Sequence, residues 1–384
     1  MRSGGLKVLR SAIDRKSIKK ILILRYRFVG DTVLTIPFIR NTRENFPNAQ
    51  IDILVSPGSG ELIEGNPDVN EVIYLDSTSF HKYEARSMKH EAQIYFNLVD
   101  CASALRKEKY DLVFVLKRSF SSALLAFFSR AKYRIGFDTE FRGFLLTHRI
   151  KYDQNLHELD NFLHCLEPLR IEAKKYIPEI FPQDTEKIRA GGFLVRLDRF
   201  KPKILIHGSS AHPYKQWPKR YFAKLLDYLH ENFGAQFVFT GAKSDKNIYE
   251  QIVNWSKNKH KLKVLDLCGL TTLRECYEIY KGLDLAICVD SGNAHIAAAS
   301  GIPTYVLYGP TRPDKWLPIG KNVFPVRLNQ LLPCQPCDLK VQCDHLSCMK
   351  LLTPEFVFSQ DLYSLASAKV PGLGAPKPSG FSKS

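Results

Sequence analysis

The sequence LDLAICVDSGNAHIAAASG, residues 283–301, contains the strand, turn and helix that decide the fold. Its first seven residues, Leu283–Val289, form a mostly apolar run that predicts a buried β-strand. Asp290, Ser291 and Gly292 then form a turn, and an alanine-rich helix follows. A short apolar strand that leads directly into a helix is typical of parallel sheets covered by helices on both faces.

The same alternation of strand and helix recurs along the chain. In the first half we predict strands at Lys20–Tyr26, Gln50–Val55, Val72–Leu75 and Asp111–Leu116, and helices at Leu34–Asn45 and Ala92–Lys107. In the second half we predict strands at Lys203–His207, Gln236–Thr240, Lys263–Cys268, Leu283–Val289 and Pro303–Leu307, and helices at Lys219–Phe233 and Thr272–Gly282. A chain of 384 residues exceeds one ordinary domain, so the pattern predicts two α/β domains of similar size.

The composition and pattern divide the chain into five segments. We predict a basic N-terminal extension (1–19), two α/β domains (20–185 and 200–355), a C-terminal helix (356–368) and a disordered tail (369–384). The stretch Ile177–Arg199 mixes proline, glycine and charged residues, and we interpret it as an inter-domain linker. Two parallel-sheet domains that face each other leave a cleft at the carboxyl ends of their strands, where doubly wound folds bind ligands.

The charge of the chain predicts an anionic partner. Lys and Arg number 55 against 39 Asp and Glu, a net charge of +16. Nucleic acid, phospholipid, a phosphorylated glycolipid and nucleotide substrates all satisfy this charge. No segment reaches the ~18–20 apolar residues of a membrane span, and no secretory signal is recognisable, which predicts a cytoplasmic protein. The basic N-terminus is either a solvated tail or a contact with anionic lipid.

The first candidate for chemistry follows the first predicted strand, in the sequence RYRFVGDT, residues 25–32. We expect Gly30 to allow a tight turn there. Asp31 then stands at the start of a helix. Its carboxylate could act as a general base on a hydroxyl group, or it could simply cap the helix.

Two further candidates follow strands of the second half. Ser209, Ser210 and Lys215 provide hydroxyl donors and a compact positive charge, which suit phosphate oxygens. Gly241 and Asp245 follow the next strand, and the Asp245 carboxylate could bind a ribose or sugar hydroxyl. The alternative for the first group is a surface loop with a solvated lysine.

The turn at residues 290–292 is the fourth candidate. Asp290 ends a buried strand, and Ser291 and Gly292 open a helix whose free N–H groups and dipole form an anion site. His295 lies one turn further on. The alternative is a capped helix with a structural histidine in the core.

Four cysteines cluster near the C-terminus, at Cys334, Cys337, Cys343 and Cys348. Three states remain open for them: reduced thiols without metal, a structural zinc site, or disulfides. None of these implies a catalytic role.

These pieces, in this order, resemble the ADP-heptose:lipopolysaccharide heptosyltransferase family, glycosyltransferase family 9. The resemblance covers roughly Lys20 to Pro354. It rests on Gly30-Asp31 with Pro37, Asn45-Phe46-Pro47 before Ile51–Val55, Asn66-Pro67 before Val72-Ile73, Gly136-Phe137 with Arg142-Gly143 and Leu145-Leu146-Thr147, Lys215-Gln216-Trp217-Pro218, and Asp290-Ser291-Gly292 with His295. The long segment Ser77–Glu91 departs from the family pattern.

The resemblance implies a GT-B fold of two Rossmann-like doubly wound domains facing a central cleft. It also implies inverting, metal-independent transfer of heptose from ADP-heptose to the inner core of a lipid A-linked, phosphorylated acceptor, with no cofactor. The catalytic residues so implied are Asp31 as the base and Lys215, which stabilises the leaving diphosphate. Arg142 is implied in acceptor binding. The implied nucleotide-sugar site consists of Ser209, Ser210 and Lys215 on the diphosphate, Gly241 and Asp245 beside them, and Ser291, Gly292 and His295 in a phosphate turn supported by Asp290.

The implied partners are a nucleotide sugar, the glycolipid acceptor and the anionic inner face of the inner membrane, without nucleic acid. One alternative keeps the fold with another nucleotide sugar or another glycan acceptor. A distant alternative is a non-catalytic nucleic-acid-binding protein.

Overall fold

This computed structural model describes residues 13–75 and 99–360. The predictions for residues 1–12, for the segment 77–91, for the start of the helix expected at Ala92–Lys107 and for the tail 369–384 lie outside the described residues. The chain divides into two compact units, Met1–Phe181 and Pro182–Ser384. We refer to them as the first and the second domain.

The first domain contains one six-stranded parallel sheet. Its strands are β1 (Lys20–Leu24), β2 (Gln50–Val55), β3 (Glu71–Tyr74), β4 (Leu112–Val115), β5 (Tyr133–Phe137) and β6 (His148–Ile150). Its helices are α1 (Val29–Asn45), α2 (Pro57–Gly60), α3 (helical over 99–107), α4 (Phe120–Phe128) and α5 (Glu158–His164). The strand order is β3-β2-β1-β4-β5-β6.

The second domain contains a second six-stranded parallel sheet. Its strands are β7 (Lys203–His207), β8 (Gln236–Phe239), β9 (Val264–Asp266), β10 (Leu285–Val289), β11 (Thr304–Leu307) and β12 (Val323–Val326). Its helices are α6 (Asp184–Leu194), α7 (Lys219–Phe233), α8 (Lys246–Trp255), α9 (Leu273–Lys281), α10 (Gly292–Ser300), α11 (Pro313–Trp316), α12 (Ser347–Lys350) and α13 (Pro354–Phe358). The strand order is β12-β11-β10-β7-β8-β9.

The central strands form the core of each domain. Residues 21–24 of β1 have no exposed surface, and the same is nearly true of all of β10. Both strands lie between parallel neighbours, β2 and β4 around β1, and β11 and β7 around β10. Burial on both faces explains why these strands are apolar at consecutive positions instead of alternating.

The two sheets share one topology. Counted from the first strand of each domain, both have the order 3-2-1-4-5-6, which is the order of dinucleotide-binding Rossmann folds. The order reverses between β1 and β4, and again between β7 and β10. Ligands of doubly wound folds bind outside the carboxyl ends of the strands at this switch point. Each domain therefore has one edge position where functional side chains are expected.

The stretch interpreted as a linker contains helix α6, and that interpretation is wrong for residues 184–194. Helix α6 packs against α9. The Arg274 guanidinium lies 3.0 Å from the Glu186 carboxylate, and both side chains are nearly buried. Gly191 and Gly192 lie in the helix facing open space, so glycine content was misleading here.

Three strands escaped prediction from sequence. Arg134 and Gly136 interrupt the apolar run of β5, β6 has only three residues, and β12 contains Pro325. Strand β12 lies at the edge of its sheet, where proline is tolerated.

The ends of two helices differ from the prediction. The helix expected at 356–368 begins at Pro354, because Thr353 caps it and proline suits the first helical position, and α13 ends at Phe358. The prediction for residues 361–368 lies outside the described residues. Helix α1 begins at Val29, five residues before the predicted Leu34. None of the helices in residues 13–75 and 99–360 is long and apolar enough to cross a bilayer.

Candidate active site

Asp31 lies at the switch point of the first domain, in the first turn of α1. Its Oδ1 atom is 2.7 Å from Nη2 of Arg25, and both side chains are mostly buried. The N-cap of α1 is Phe28, so the simpler reading of Asp31 as a helix cap is wrong. The carboxylate is instead fixed by an ion pair with the residue that follows β1.

The turn before α1 is made by Arg27 and Phe28, both in the left-handed region with φ of 87° and 63°. The expectation that Gly30 makes this turn is wrong, because Gly30 is already helical. Left-handed backbone at non-glycine residues costs roughly 1–3 kcal/mol each and concentrates at functional sites. The Arg27 amide donates to Ser56 Oγ at 2.7 Å, which helps to hold the turn.

Lys117 lies at the same switch point, two residues after β4. Its ammonium is 4.8 Å from the centre of the Tyr26 ring. Burial, with the nearby Arg25, Arg27 and Arg142 charges, lowers the pKa of Lys117 to about 7, against the opposing effect of Asp31. An anionic ligand here would restore the charged form of the lysine.

Arg142 is fully buried, and it braces the Lys117 loop. Its Nε donates to the Phe137 carbonyl and its Nη1 to the Lys117 carbonyl, both at 3.2 Å. Burial lowers the pKa of Arg142 to about 10. Its Nη2 is also buried and forms no hydrogen bond to any described residue. Direct contact of Arg142 with an acceptor stays a prediction.

The second switch point is built around Asp290, which follows β10. Lys215 Nζ lies 2.7 Å from Asp290 Oδ2. The Thr311 hydroxyl donates to the same oxygen at 2.6 Å. The Asp290 side chain is mostly buried, whereas about a fifth of the Lys215 side chain is exposed. The aspartate therefore holds the lysine at the strand edge while leaving its ammonium open to a ligand.

Helix α10 starts directly after this aspartate, with Ser291 as its N-cap and Gly292 as its first residue. The Ser291 Oγ atom is buried and has no hydrogen-bond partner among the residues described. The Ser210 hydroxyl makes a long contact of 3.5 Å with the Asp290 carbonyl. His295 is buried one turn further along the helix. Free amides and an uncommitted hydroxyl at a helix N-terminus form an anion site.

Ser209 and Asp245 form the flank of this site. The Ser209 hydroxyl donates to Asp245 Oδ1 at 2.7 Å, and the Ala242 amide donates to Oδ2 at 2.8 Å. A Cβ atom on Gly241 would lie 2.5 Å from Asp245 Oδ2. Glycine is therefore required at position 241 for Asp245 to approach the loop after β8.

The structure thus brings together the predicted residues of the second domain at one end of its sheet. They are Ser209, Ser210, Lys215, Gly241, Asp245, Asp290, Ser291, Gly292 and His295.

A buried network behind the anion site was not predicted. His207 Nδ1 lies 3.0 Å from the Thr240 carbonyl oxygen, and Asn293 Nδ2 lies 3.2 Å from the same ring nitrogen. The Tyr280 hydroxyl donates to Asn293 Oδ1 at 3.2 Å. Burial lowers the pKa of His207. The network joins β7, β8 and α9 to the first turn of α10, and so fixes the helix end that faces a ligand.

The motif Lys215-Gln216-Trp217-Pro218 has a structural part and an exposed part. Trp217 is 2% exposed, donates from Nε1 to the Leu352 carbonyl at 2.7 Å and packs edge-on against Phe222. Pro218 is the N-cap of α7. The buried indole anchors a loop that would otherwise leave Lys215 free to move.

The four clustered cysteines are all unbonded thiols in this structure. In the described ranges, no group of three or more His, Cys, Asp or Glu side chains is arranged to hold a metal ion. Cys348 is buried against Gly309, where a Cβ atom would lie 3.1 Å from its sulfur. Cys348 therefore contributes to packing next to the loop that follows β11, whereas Cys334 is exposed.

Sequence reasoning missed Arg25, Lys117, Thr311 and His207 as parts of the site. All four lie at or just beyond the carboxyl end of a strand, which is the one signal that could have found them. Arg25 and His207 stand within sequences already singled out.

Comparison with known proteins agrees with this geometry. Residues 99–345 match the family model of glycosyltransferase family 9 (heptosyltransferase). The chain is 29% identical over 321 residues to the lipooligosaccharide heptosyltransferase 2 of Haemophilus ducreyi, which covers 80% of this chain and 88% of the relative.

Two solved structures share the fold. A family 9 glycosyltransferase from Veillonella parvula has a TM-score of 0.76 at 22% identity, covering 93% of this chain and 98% of its own. The E. coli ADP-heptose lps heptosyltransferase II has a TM-score of 0.73 at 22% identity, covering 91% and 99%. The fold is GT-B, with two Rossmann-like domains, and the chain belongs to glycosyltransferase family 9, the heptosyltransferases.

Proposed function

We propose that this enzyme transfers a heptose from ADP-heptose to the inner core of a lipid A-linked lipopolysaccharide precursor, with inversion at the anomeric carbon. Membership of the heptosyltransferase family supports the reaction class. The single observation that carries the donor assignment is the anion site at α10, where Lys215 and the uncommitted Ser291 hydroxyl suit a diphosphate.

The second domain binds the donor. Amides at the start of α10 and the hydroxyls of Ser209, Ser210 and Ser291 donate to the diphosphate oxygens. Lys215 already faces one carboxylate oxygen, and the diphosphate takes up the remaining N–H groups of its ammonium. The Asp245 carboxylate accepts hydrogen bonds from ribose or sugar hydroxyls.

The first domain activates the acceptor. The Asp31 carboxylate takes the proton from the attacking hydroxyl, and Arg25 holds it in place through their 2.7 Å ion pair. Lys117, with Arg142 behind it, faces an anionic group of the acceptor. The phosphate groups of a phosphorylated glycolipid supply such a charge.

The chemical step then needs one bond made and one broken. The acceptor oxygen forms a bond to the anomeric carbon from the face opposite the diphosphate, and the carbon–oxygen bond to ADP breaks. ADP leaves with the bonding electron pair, and its growing charge is stabilised by Lys215 and the amides of α10. These groups supply the charge stabilisation that a bound metal ion supplies in other transferases, so we propose a metal-independent reaction without a cofactor.

We further propose that the enzyme works in the cytoplasm on the inner face of the inner membrane. The acceptor is a glycolipid with its acyl chains in the bilayer, and a chain of net charge +16 is attracted to anionic phospholipid.

A transfer assay tests the function. The purified chain is incubated with ADP-heptose and heptose-free inner-core acceptor, and the mass of the product is determined by mass spectrometry. We expect one heptose to be added and ADP to be released in equal amount. No added heptose, with ADP-heptose of confirmed quality, would contradict the proposal.

A panel of nucleotides tests which nucleotide the sugar donor carries. Thermal shifts are measured with ADP, UDP, GDP, dTDP and CMP. We expect stabilisation by ADP above the others. Selective stabilisation by another diphosphate would keep the mechanism and assign a different sugar nucleotide.

A further inference from the structure

The first domain exposes an unusual set of large aromatic side chains. Phe120, Phe127, Phe128, Phe141 and Phe144 are 48%, 44%, 48%, 98% and 65% exposed. One exposed apolar residue needs no explanation, but a contiguous group marks an interaction site. We call these five residues the aromatic surface.

Helix α4, which carries Phe120, Phe127 and Phe128, packs against the turn at residues 143–145, which carries Phe144. Phe141 lies two residues before that turn. The Phe120 and Phe144 ring centres are 6.4 Å apart. Those of Phe127 and Phe128 are 5.7 Å apart. The Arg134 guanidinium lies 5.7 Å from the Phe127 ring, and its Nε donates to the Leu145 carbonyl, which joins both ends of the patch.

The stretch of chain that carries the aromatic surface is basic. Residues 117–151 contain eight Lys or Arg and only two Asp or Glu. Arg118, Arg130, Lys132, Arg149 and Lys151 are exposed. Apolar rings framed by basic side chains match the interface of an anionic bilayer, where the rings enter the acyl boundary and the cations meet the headgroups.

The basic N-terminus, the other candidate for lipid contact, is partly committed within the protein. Arg15 Nη2 donates to Asn45 Oδ1 at 3.0 Å, and Lys20 Nζ pairs with Glu108 at 2.5 Å. Arg118 and Arg149 beside the aromatic surface form longer ion pairs, of 4.0 Å with Glu158 and 3.9 Å with Asp138. The N-terminal residues differ mainly in having no cluster of exposed rings beside them among the described residues.

We propose that the aromatic surface docks the first domain on a bilayer of anionic phospholipid. The patch adjoins the acceptor side of the site, because Arg142 lies between Phe141 and Phe144 and donates to the Lys117 carbonyl. Docking there brings Lys117 and Asp31 close to the membrane surface, where a glycolipid presents its sugars. The purpose of this surface rests on the proposed function, but lipid binding itself does not.

The test is co-sedimentation of the full chain with vesicles of phosphatidylcholine, with and without phosphatidylglycerol. We expect binding only to the anionic vesicles. The double variant Phe141→Ser/Phe144→Ser should weaken it at least about tenfold, since inserting one phenylalanine is worth up to roughly 1.5–3 kcal/mol. Both side chains are exposed, so folding should survive, and an unchanged thermal unfolding midpoint without ligand checks this.

The matched control is Val195→Ser/Phe200→Ser in the second domain, where the two side chains are 82% and 75% exposed. This variant should bind vesicles like the unmodified chain. Equal loss in both variants, equal binding to charged and uncharged vesicles, or no binding to either would overturn the proposal. Because no sugar substrate is present, an enzyme that fails the heptosyl transfer assay can still pass this test.

Discussion

The two domains have the same strand order, but they carry different chemistry at their switch points. In the second domain, positive potential comes from backbone amides at the start of α10 and from one lysine, Lys215, tied to Asp290. In the first domain it comes from the side chains of Arg25, Lys117 and Arg142, gathered around the carboxylate of Asp31.

Under the proposed function, this difference follows from what each half binds. A diphosphate is recognised by small hydroxyls and amides that lie close to it, and these need little space. A sugar hydroxyl must lose a proton, which backbone amides cannot accept, so a carboxylate held by a guanidinium is required. One topology thus provides two edge positions, and the loops decide which substrate each serves.

Replacing Asp31 by Asn should have the largest effect. The amide cannot take the proton of the acceptor hydroxyl, so kcat should fall about 10²–10⁴-fold. Steady-state transfer at saturating donor and acceptor measures this. An unchanged kcat would remove Asp31 from the mechanism and leave its ion pair with Arg25 as a structural feature.

Replacing Lys215 by Met should rank second. Loss of a fixed cation on the leaving diphosphate should lower kcat about 10²–10³-fold. Lys259→Met is the matched control, because Lys259 is an exposed lysine of the same domain far from Asp290 in the sequence. Similar losses in both variants would mean that overall charge, and not the Lys215 position, matters.

The pH dependence of acceptor binding should come third. Burial and neighbouring arginines lower the pKa of Lys117 to about 7, so the lysine is a cation below that pH and neutral above it. Acceptor KM should rise about tenfold from about pH 6 to about pH 8.5, as one charged hydrogen bond is lost. Lys117→Arg keeps its charge throughout and should flatten the profile. A profile that persists in this variant would assign the titration to another group.

Replacing Ser291 by Ala should have the smallest effect. The Ser291 hydroxyl makes no capping hydrogen bond to α10, so its loss should leave stability unchanged and weaken ADP binding roughly 2–10-fold. Thr272→Ala is the opposite control. The Thr272 hydroxyl caps α9 by accepting from the Glu275 amide at 3.0 Å, so this variant should lose about 1 kcal/mol of stability and keep its ADP affinity. Calorimetric titration measures the ADP affinity of each variant, and thermal unfolding measures its stability.

Much of the fold could be predicted from apolar runs, because β1, β7, β8 and β10 are buried on both faces and their central residues form continuous apolar sequence. Strands β5 and β12 could not be predicted this way, since Arg134, Gly136 and Pro325 break their runs. Helix α6 was hidden by its two glycines, although a capping box of Gln183 and Glu186 begins it and its packing on α9 stabilises it.

The residues of the candidate site also fall into those that the sequence could predict and those that it could not. Asp31, Lys215 and Ser291 could be found because each follows a strand within a short motif. Lys117 could not be assigned to Asp31, because the two stand far apart in the sequence and meet only through the pairing of β1 with β4. The ion pair between Arg25 and Asp31 likewise depends on a turn with two left-handed residues. These residues are Arg27 and Phe28, and neither residue type predicts a left-handed backbone.

The central claim is that donor binding belongs to the second switch point and acceptor activation to the first. Calorimetric titration of ADP-heptose into the Asp31→Asn and Lys215→Met variants tests it most directly. We expect Asp31→Asn to bind the donor with the Kd of the unmodified enzyme, and Lys215→Met to bind it about tenfold or more weakly. Equal weakening in both variants, or weakening by Asp31→Asn alone, would contradict this division.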